Sequence, residues 1–417
     1  LILKETFLAD TTDFEARRDY AFSLRTFDQI EEMISLLEQG ISIERDDYAK
    51  GLMLLEIMDA QWLLEKYEKS FKISQQAETL MMPLAESNFN VLTRALPAWS
   101  QIQIAYHLLQ EDLNQCKKVA DKLREHWSPD TLSSYSLASY VSMLNFLNEF
   151  YSKTGDWQQN LWGASEVVRL GKRAYAMNPS FVGLGEAYCT AVIAYSYEGM
   201  NDEIQESARQ CAYFLSERIE KKGTNRALND ATYVYYQLID ALVLSEEYAL
   251  ADSILQSAPA VKAISQSSQS SKESFRLYAG LCNVHRARVF LENGEVSQAE
   301  SQSKEALFTI ESTEEGSALA PLFKLDLNSR IAFARGDYKE AAELCQEFIE
   351  LNKATYAQSP DAWNADGLCR SYLLMAEIHS AIGAKAKARK MIKEAEKVAA
   401  FKINHIAIER LKEKIIK

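Results

Sequence analysis

The stretch Gly336-Asp337-Tyr338-Lys339-Glu340-Ala341 constrains this chain more than any other. It follows an apolar-periodic run (Leu325, Leu327, Ile331, Phe333) and opens another (Ala341, Ala342, Leu344, Phe348). A glycine between two helical patterns marks a tight helix-to-helix turn, and a small residue five positions later lets a neighbouring helix approach closely. Aligned on Gly336, the same unit begins at Arg25, Glu65, Glu111, Gly155, Gly199, Glu246, Gly294, Gly336 and Gly383, at spacings of 40, 46, 44, 44, 47, 48, 42 and 47 residues. A period of this length predicts an array of helical hairpins, each burying its apolar face on its neighbours.

Two positions support the alignment. Two residues into most units stands a large side chain (Phe27, Tyr67, Leu113, Trp157, Tyr248, Val296, Tyr338), with Asn201 and Lys385 as exceptions. Five residues in, Ser70, Cys116, Ala251, Ala299, Ala341 and Ala388 are small, whereas Ile30, Asn160 and Ile204 depart. Twelve residues in come Ala77, Cys211, Ala258, Ala306 and Ala395. These spacings put small residues on one helical face. All seven prolines (Pro83, Pro97, Pro129, Pro179, Pro259, Pro321, Pro360) are expected between units, in connections or helix first turns, because proline cannot continue a helix. Gly223-Thr224-Asn225 serves the junction without one. The Ser-rich segment 257–274 reads as a long exposed loop. From Ile403 the chain reads as a final helix with Ile408, Leu411 and Ile415 on one face, so 400–417 is expected to cap the last hairpin or to lead into a further domain.

The turn resembles that of the tetratricopeptide repeat family, which reads Gly-Asp/x-Tyr-x-x-Ala. Gly336, Asp337, Tyr338 and Ala341 match it fully, and Gly294 with Ala299 and Gly383 with Ala388 match in part. Ala287 and Ala376 occupy the small site of the first helix, Phe290 the large site after it, and Ala306 and Ala395 the small site of the second helix. Repeats of that family have about 34 residues; the longer period here is similar to the sensor arrays of bacterial transcription activators and peptide-sensing regulators. The resemblance implies an all-α solenoid over residues 1–417: a right-handed superhelix of about nine antiparallel hairpins whose first helices line a concave groove.

Composition narrows the function. Of 417 residues 47% are hydrophobic and 25% charged, which is globular rather than disordered. The net charge of -13 argues against a general nucleic-acid binder, since phosphate contacts need a basic surface. Charge is uneven: residues 384–417 hold 11 Lys/Arg and 4 Asp/Glu, net +7, which leaves -20 for the rest. No apolar run reaches the ~18 residues of a membrane span. The six cysteines lack paired or metal-like spacing and read as reduced, packed thiols of a cytoplasmic protein. Leu1 stands where an initiator Met would, the pattern of a piece of a longer protein. The five histidines form no His-Glu-x-x-His or related set, and no phosphate-cradling glycine motif or nucleophile elbow occurs, so no enzyme, metal or cofactor is expected.

What remains is recognition. Position by position, the repeat family implies groove-facing residues that include Gln101, Asn145, Glu149, Glu186, Tyr233, Tyr236, Asp240, Arg288, Asp326, Arg330, Arg370 and Glu377. Tyr188, Tyr195, Tyr197, Tyr233, Tyr235 and Tyr236 cluster in the middle; tyrosine joins large contact area to a hydroxyl, which suits recognition but also plain packing. Arg288, Arg330 and Arg370 recur at corresponding positions, where their forks could grip carboxylates or pair with Asp326 and Glu377. The expectation is a non-enzymatic protein- or peptide-binding module, with Asn145, Tyr233 and Tyr236 as central contacts and Arg288, Arg330 and Arg370 as anionic anchors. One alternative is the ligand-sensing part of a larger bacterial signalling or transcription regulator, favoured by Leu1 and the basic tail. Another is a scaffold in a multiprotein assembly, which predicts an exposed apolar convex face.

Overall fold

The computed structural model describes residues 2–27, 29–126 and 134–416, so the junction assigned to Pro129 lies outside it. No strand occurs among the described residues. The helices follow in order: α1 (Ile2–Ala9), α2 (Phe14–Thr26), α3 (Ile30–Ile43), α4 (Asp47–Leu63), α5 (Tyr67–Met81), α6 (Leu96–Leu109), α7 (Leu113–Glu125), α8 (Ser134–Thr154), α9 (Trp157–Met177), α10 (Leu184–Glu198), α11 (Asn201–Lys222), α12 (Asn225–Leu244), α13 (Tyr248–Leu255), α14 (Ala258–Ser268), α15 (Glu273–Glu292), α16 (Val296–Glu311), α17 (Glu314–Arg335), α18 (Tyr338–Gln358), α19 (Ala362–Ala381), α20 (Lys385–Val398) and α21 (Lys402–Ile416). They form two compact units. Unit 1 comprises Leu1–Phe150 and Leu170–Phe181, and unit 2 comprises Tyr151–Arg169 and Val182–Lys417. Each is a stack of antiparallel helix hairpins.

The turns explain the stack. Glu65, Glu111, Gly155, Gly199, Glu246, Gly294, Gly336 and Gly383 all have positive φ, between 55 and 77° for the first six and 81 and 74° for the last two. At each, the next N–H donates back to a carbonyl five residues earlier, as Asp337 does to Ala332 (2.9 Å), Glu247 to Leu242 (2.8 Å) and Lys66 to Gln61 (3.0 Å). The left-handed residue donates to a carbonyl three back, as Gly336 does to Phe333 (3.0 Å). This Schellman closure satisfies the last carbonyls of the first helix and reverses the chain within a few residues. The first turn differs from its sequence alignment. Arg25 stays inside α2, and the equivalent bond runs from Gln29 to Leu24 (2.9 Å), so the reversal comes after Arg25 rather than at it.

Small residues then set the helix spacing. Ser70, Cys116, Ala251, Ala299, Ala341 and Ala388 are all fully buried, and the larger Ile30, Asn160 and Ile204 at the same position are buried too. The Ser70 hydroxyl donates to the Met58 carbonyl across its hairpin (2.8 Å). All six cysteines are buried, and none forms a disulfide among the described residues.

Two expectations fail. Segment 257–274 is mostly helix: Ser257 caps α14 by accepting from Ala260 N–H, and Ala260, Ala263, Ile264 and Ser267 are buried at helical spacing. The Ser267 hydroxyl meets Asn229 Oδ1 and Thr232 Oγ1, both at 2.9 Å, so serine here packs rather than solvates. The second helix of that hairpin is broken between Leu255 and Ala258, which leaves Ala258 exposed instead of interfacial. Pro321 is the eighth residue of α17, inside the helix and not at a junction. Loss of its N–H costs a helical bond, but Leu327, Ile331 and Ala332 further along are buried and hold the helix in place.

Candidate functional site

In unit 2 the first helices α12, α15, α17 and α19 carry a row of charged side chains from one hairpin to the next. Asp326 on α17 is its hub, with a side chain only 3% exposed. Arg288 on α15 donates to Asp326 Oδ2 through Nε (2.9 Å) and Nη2 (2.7 Å), and Arg330, one turn along α17, donates to Oδ1 through Nε (2.8 Å). Burial pushes the Asp326 carboxyl up, but the two guanidinium groups outweigh it and hold the carboxyl well below the usual carboxylate range. For Arg330, burial works against the charge and Asp326 outweighs it, so its acidity is weakened further.

The next hairpin repeats the device. Arg370 on α19 donates through Nε to Asp366 Oδ2 (2.7 Å), and Asn404 at the start of α21 donates to Asp366 Oδ1 (2.6 Å). The Asn404 amide also accepts from Phe401 N–H (2.9 Å), capping α21. Two i, i+4 pairs, Asp326/Arg330 and Asp366/Arg370, therefore stand 40 residues apart on successive first helices. Each of these two arginines meets its aspartate through Nε alone. Nη1 and Nη2 remain for another acceptor, on side chains 28% and 31% exposed.

Beside this row lies an aromatic one. Tyr236 stacks on Tyr278 (6.0 Å, 13°) and on His285 (5.9 Å, 23°), and Tyr233 lies against Tyr278 (4.7 Å) while its hydroxyl accepts from Gln237 (2.8 Å). His285 Nε2 is 3.4 Å from Asp240 Oδ1. Burial lowers the His285 pKa to about 4 against the pull of Asp240, so the ring is neutral at pH 7. Burial and Glu292 push the Tyr248 phenol up to about 12, against the opposing charge of Arg330 and Arg370.

The helix α21 closes this side of unit 2. Ile408, Leu411 and Ile415 join the core formed with α19 and α20. Phe401 stacks on Tyr197 (4.0 Å, 15°) and meets Trp157 edge-on (4.9 Å, 69°), in a cluster with Leu244, Ile403 and Trp363. Ile406 crosses the Gly199 turn so closely that a Cβ there would lie 2.6 Å from its Cδ1. Arg410 pairs with Glu246 (2.5 Å) and Lys412 with Glu396 (2.6 Å), so part of the tail's basic charge is matched within unit 2.

Of the six residues singled out from sequence, Tyr233 and Tyr236 share the Tyr278 contact, and Arg288 and Arg330 share Asp326. Arg370 stands on the next first helix with its own partner, Asp366. Asn145 is half-buried on α8 and belongs to unit 1. Asp326 is the arginines' partner, whereas Glu377 makes no ion pair within 4 Å among the described residues, and burial raises its pKa against Arg330. Tyr188, Tyr197 and Tyr235 are core residues. Sequence reasoning missed His285, Asp366, Phe401 and Asn404. The matching Asp-x-x-x-Arg spacing at 326/330 and 366/370 was the signal for Asp366; the contacts of Phe401 and Asn404 leave no mark in the chain.

No family model and no curated protein matches this sequence. Solved structures do. A Rap protein complexed with competence and sporulation factor is 12% identical over 88% of this chain and 99% of that one, at a TM-score of 0.51. The apo form of the quorum sensor NprR from B. thuringiensis is 14% identical, over 82% of this chain and 98% of that one (TM-score 0.42). A human IFIT1 dimer with PPP-AAAA is also 14% identical, over 94% and 92% (TM-score 0.39). Likeness at such identities establishes a fold, and the fold of this chain is that of a TPR-like helical repeat protein.

Proposed function

We propose that unit 2 is a non-enzymatic recognition module that takes a protein or peptide segment along its charged first-helix face, with a carboxylate of that segment held by Arg330 and Arg370. The observation that carries this is the half-used state of the two arginines. Each spends Nε on its aspartate and keeps a planar pair of N–H donors, the geometry that grips a carboxylate in two-point fashion. Their aspartates fix the guanidinium groups beforehand, which lowers the ordering cost of binding. Tyr233 and Tyr236 add aromatic contact area beside them. Arg288 has a different role: with two donors on Asp326, it positions that carboxylate. Asn145, in unit 1, is outside this site.

Three further considerations support the reading. The Rap protein of this fold is solved in complex with competence and sporulation factor, a relation between fold and bound factor consistent with recognition. Burial pushes the Cys282, Cys345 and Cys369 thiols up to about 12, away from the thiolate a nucleophile needs. The net charge of -13 disfavours a polyanionic nucleic-acid partner. No helix among the described residues is long and apolar enough to cross a membrane, and a cytoplasmic setting fits six buried thiols that form no disulfide among the described residues.

The test is fluorescence polarisation against a degenerate heptapeptide library made with free and with amidated C-termini, on the intact chain and on Arg370→Gln and Arg330→Gln. Binding that prefers the free carboxylate or acidic side chains, and weakens in both variants, is expected. Equal binding by wild type and both variants, or no peptide binding, would refute the proposal.

A further inference from the structure

Unit 1 holds a buried charged side chain that forms no ion pair among the described residues. Arg17 on α2 is 4% exposed. Its Nη1 donates to the Leu36 carbonyl of α3 (3.0 Å), its Nη2 to the Thr11 carbonyl before α2, and its guanidinium lies over the Phe7 ring at 5.0 Å. No carboxylate forms an ion pair with it among the described residues. Glu44 is the acid it senses, and Glu44 Oε1 is engaged by the Arg45 (2.7 Å) and Asp46 (3.0 Å) N–H groups at the α3–α4 turn. A buried charge facing only carbonyl oxygens is costly. Burial accordingly depresses the Arg17 pKa, with Glu44 opposing.

The same arginine lines a cavity of about 250 Å³ with Phe14, Ile43, Met53, Glu44 and Arg45. The fold makes room for it at Gly40, in the middle of α3: a Cβ there would lie 2.5 Å from Arg17 Cδ and 2.6 Å from Met53 Sδ. Glycine within a helix costs about 1 kcal/mol relative to alanine, and here that residue is what lets the arginine stem lie across α3. The lining joins two cationic groups, one anionic group and an apolar wall.

We propose that this cavity is a binding site for a small monocarboxylate with a short unbranched apolar body. The carboxylate pairs with Arg17, with Arg45 beside it, and the hydrocarbon part rests on Phe14, Ile43 and Met53. Glu44 disfavours a dianion such as phosphate, and the volume limits the ligand to a short chain. The site lies within unit 1, so its fate is independent of the peptide reading for unit 2.

Isothermal titration of the intact chain with hexanoate tests it, with hexan-1-ol and inorganic phosphate in parallel. Saturable binding of hexanoate is expected, with hexan-1-ol and phosphate at least about tenfold weaker, the size of one lost charge-assisted contact. Arg17→Gln should abolish binding. Because Arg17 also ties α2 to α3, a second variant stands beside it: Ile43→Trp, at a side chain 53% exposed at the cavity wall, fills the space while keeping Arg17. It should fold, as judged by circular dichroism, and lose hexanoate. No saturable hexanoate binding, equal binding of hexan-1-ol, or undiminished binding by folded Ile43→Trp would each overturn the assignment.

Discussion

Removing the carboxylate of Asp326 is the sharpest test of how unit 2 is organised. Three charge-assisted hydrogen bonds converge on it, at 2.9, 2.7 and 2.8 Å. Breaking a bond to a charged group costs about 1.5–3 kcal/mol, so three of them make a gross loss of about 4.5–9 kcal/mol in Asp326→Ala. Arg288 and Arg330 are 21% and 28% exposed and recover part of this by hydration. The net cost is then about 3–5 kcal/mol, the range for stranding a partner of a buried pair. Urea unfolding followed by circular dichroism reads it. The apolar triple variant Asp326→Leu/Arg288→Met/Arg330→Met should regain most of the loss, since no charge is stranded. The pH dependence has a defined sign. The folded-state pKa of Asp326 lies below its unfolded value of about 3.9, so its contribution is complete above that value and disappears as pH falls below it. A loss under ~1 kcal/mol for Asp326→Ala, within the range of exposed pairs, would refute the view of Asp326 as the hub.

Three further outcomes follow from the same structure. His285 binds its proton less readily folded (pKa about 4) than unfolded (about 6.5), so its contribution is complete above pH 6.5 and declines as pH falls towards 4; His285→Gln should flatten that limb of the stability–pH profile, and an NMR titration midpoint near 6.5 would contradict it. Phe401→Ala empties the aromatic cluster joining α21 to α9, α10 and α12, and should cost about 3–5 kcal/mol in chemical denaturation; a cost under about 1 kcal/mol would show that α21 is not anchored there. Glu111→Gly relieves a side chain held at φ 55°, and Gly336→Ala imposes one at φ 81°, so in urea denaturation the first should raise and the second lower the unfolding free energy, each by roughly 1 kcal/mol.

Much of the fold is legible because it is local. A helix reversal needs a left-handed residue and a small one a turn later, and both are written within six residues, so the period of about 45 can be read by alignment alone. Glutamates at 65, 111 and 246 keep the pattern because the Schellman closure is set by backbone bonds rather than by glycine itself. Failures occur where packing outvotes local propensity. The serines of 257–274 look like loop residues, but Ala260, Ala263, Ile264 and Ser267 find partners on α12 and α15. Pro321 looks like a breaker, and buried side chains further along α17 keep it inside a helix. Arg25 shows the limit of alignment when no glycine marks the turn.

The candidate site divides the same way. The sequence determined that Arg288, Arg330 and Arg370 would recur on first helices and that Tyr233 and Tyr236 would share a face, since repeat spacing and helical periodicity carry that information. Tertiary structure alone decided that Arg288 and Arg330 share one aspartate and that Arg370 and Asn404 share another. It also placed Phe401 on Trp157 and Tyr197, and it left Arg17 buried with no ion pair among the described residues. The members of these groups that cross between hairpins, Arg288 with Asp326, Asn404 with Asp366 and Phe401 with Trp157, lie tens to hundreds of positions apart, and they depend on how successive hairpins rotate against one another. That rotation is the sum of many packing contacts, which no short stretch of sequence contains.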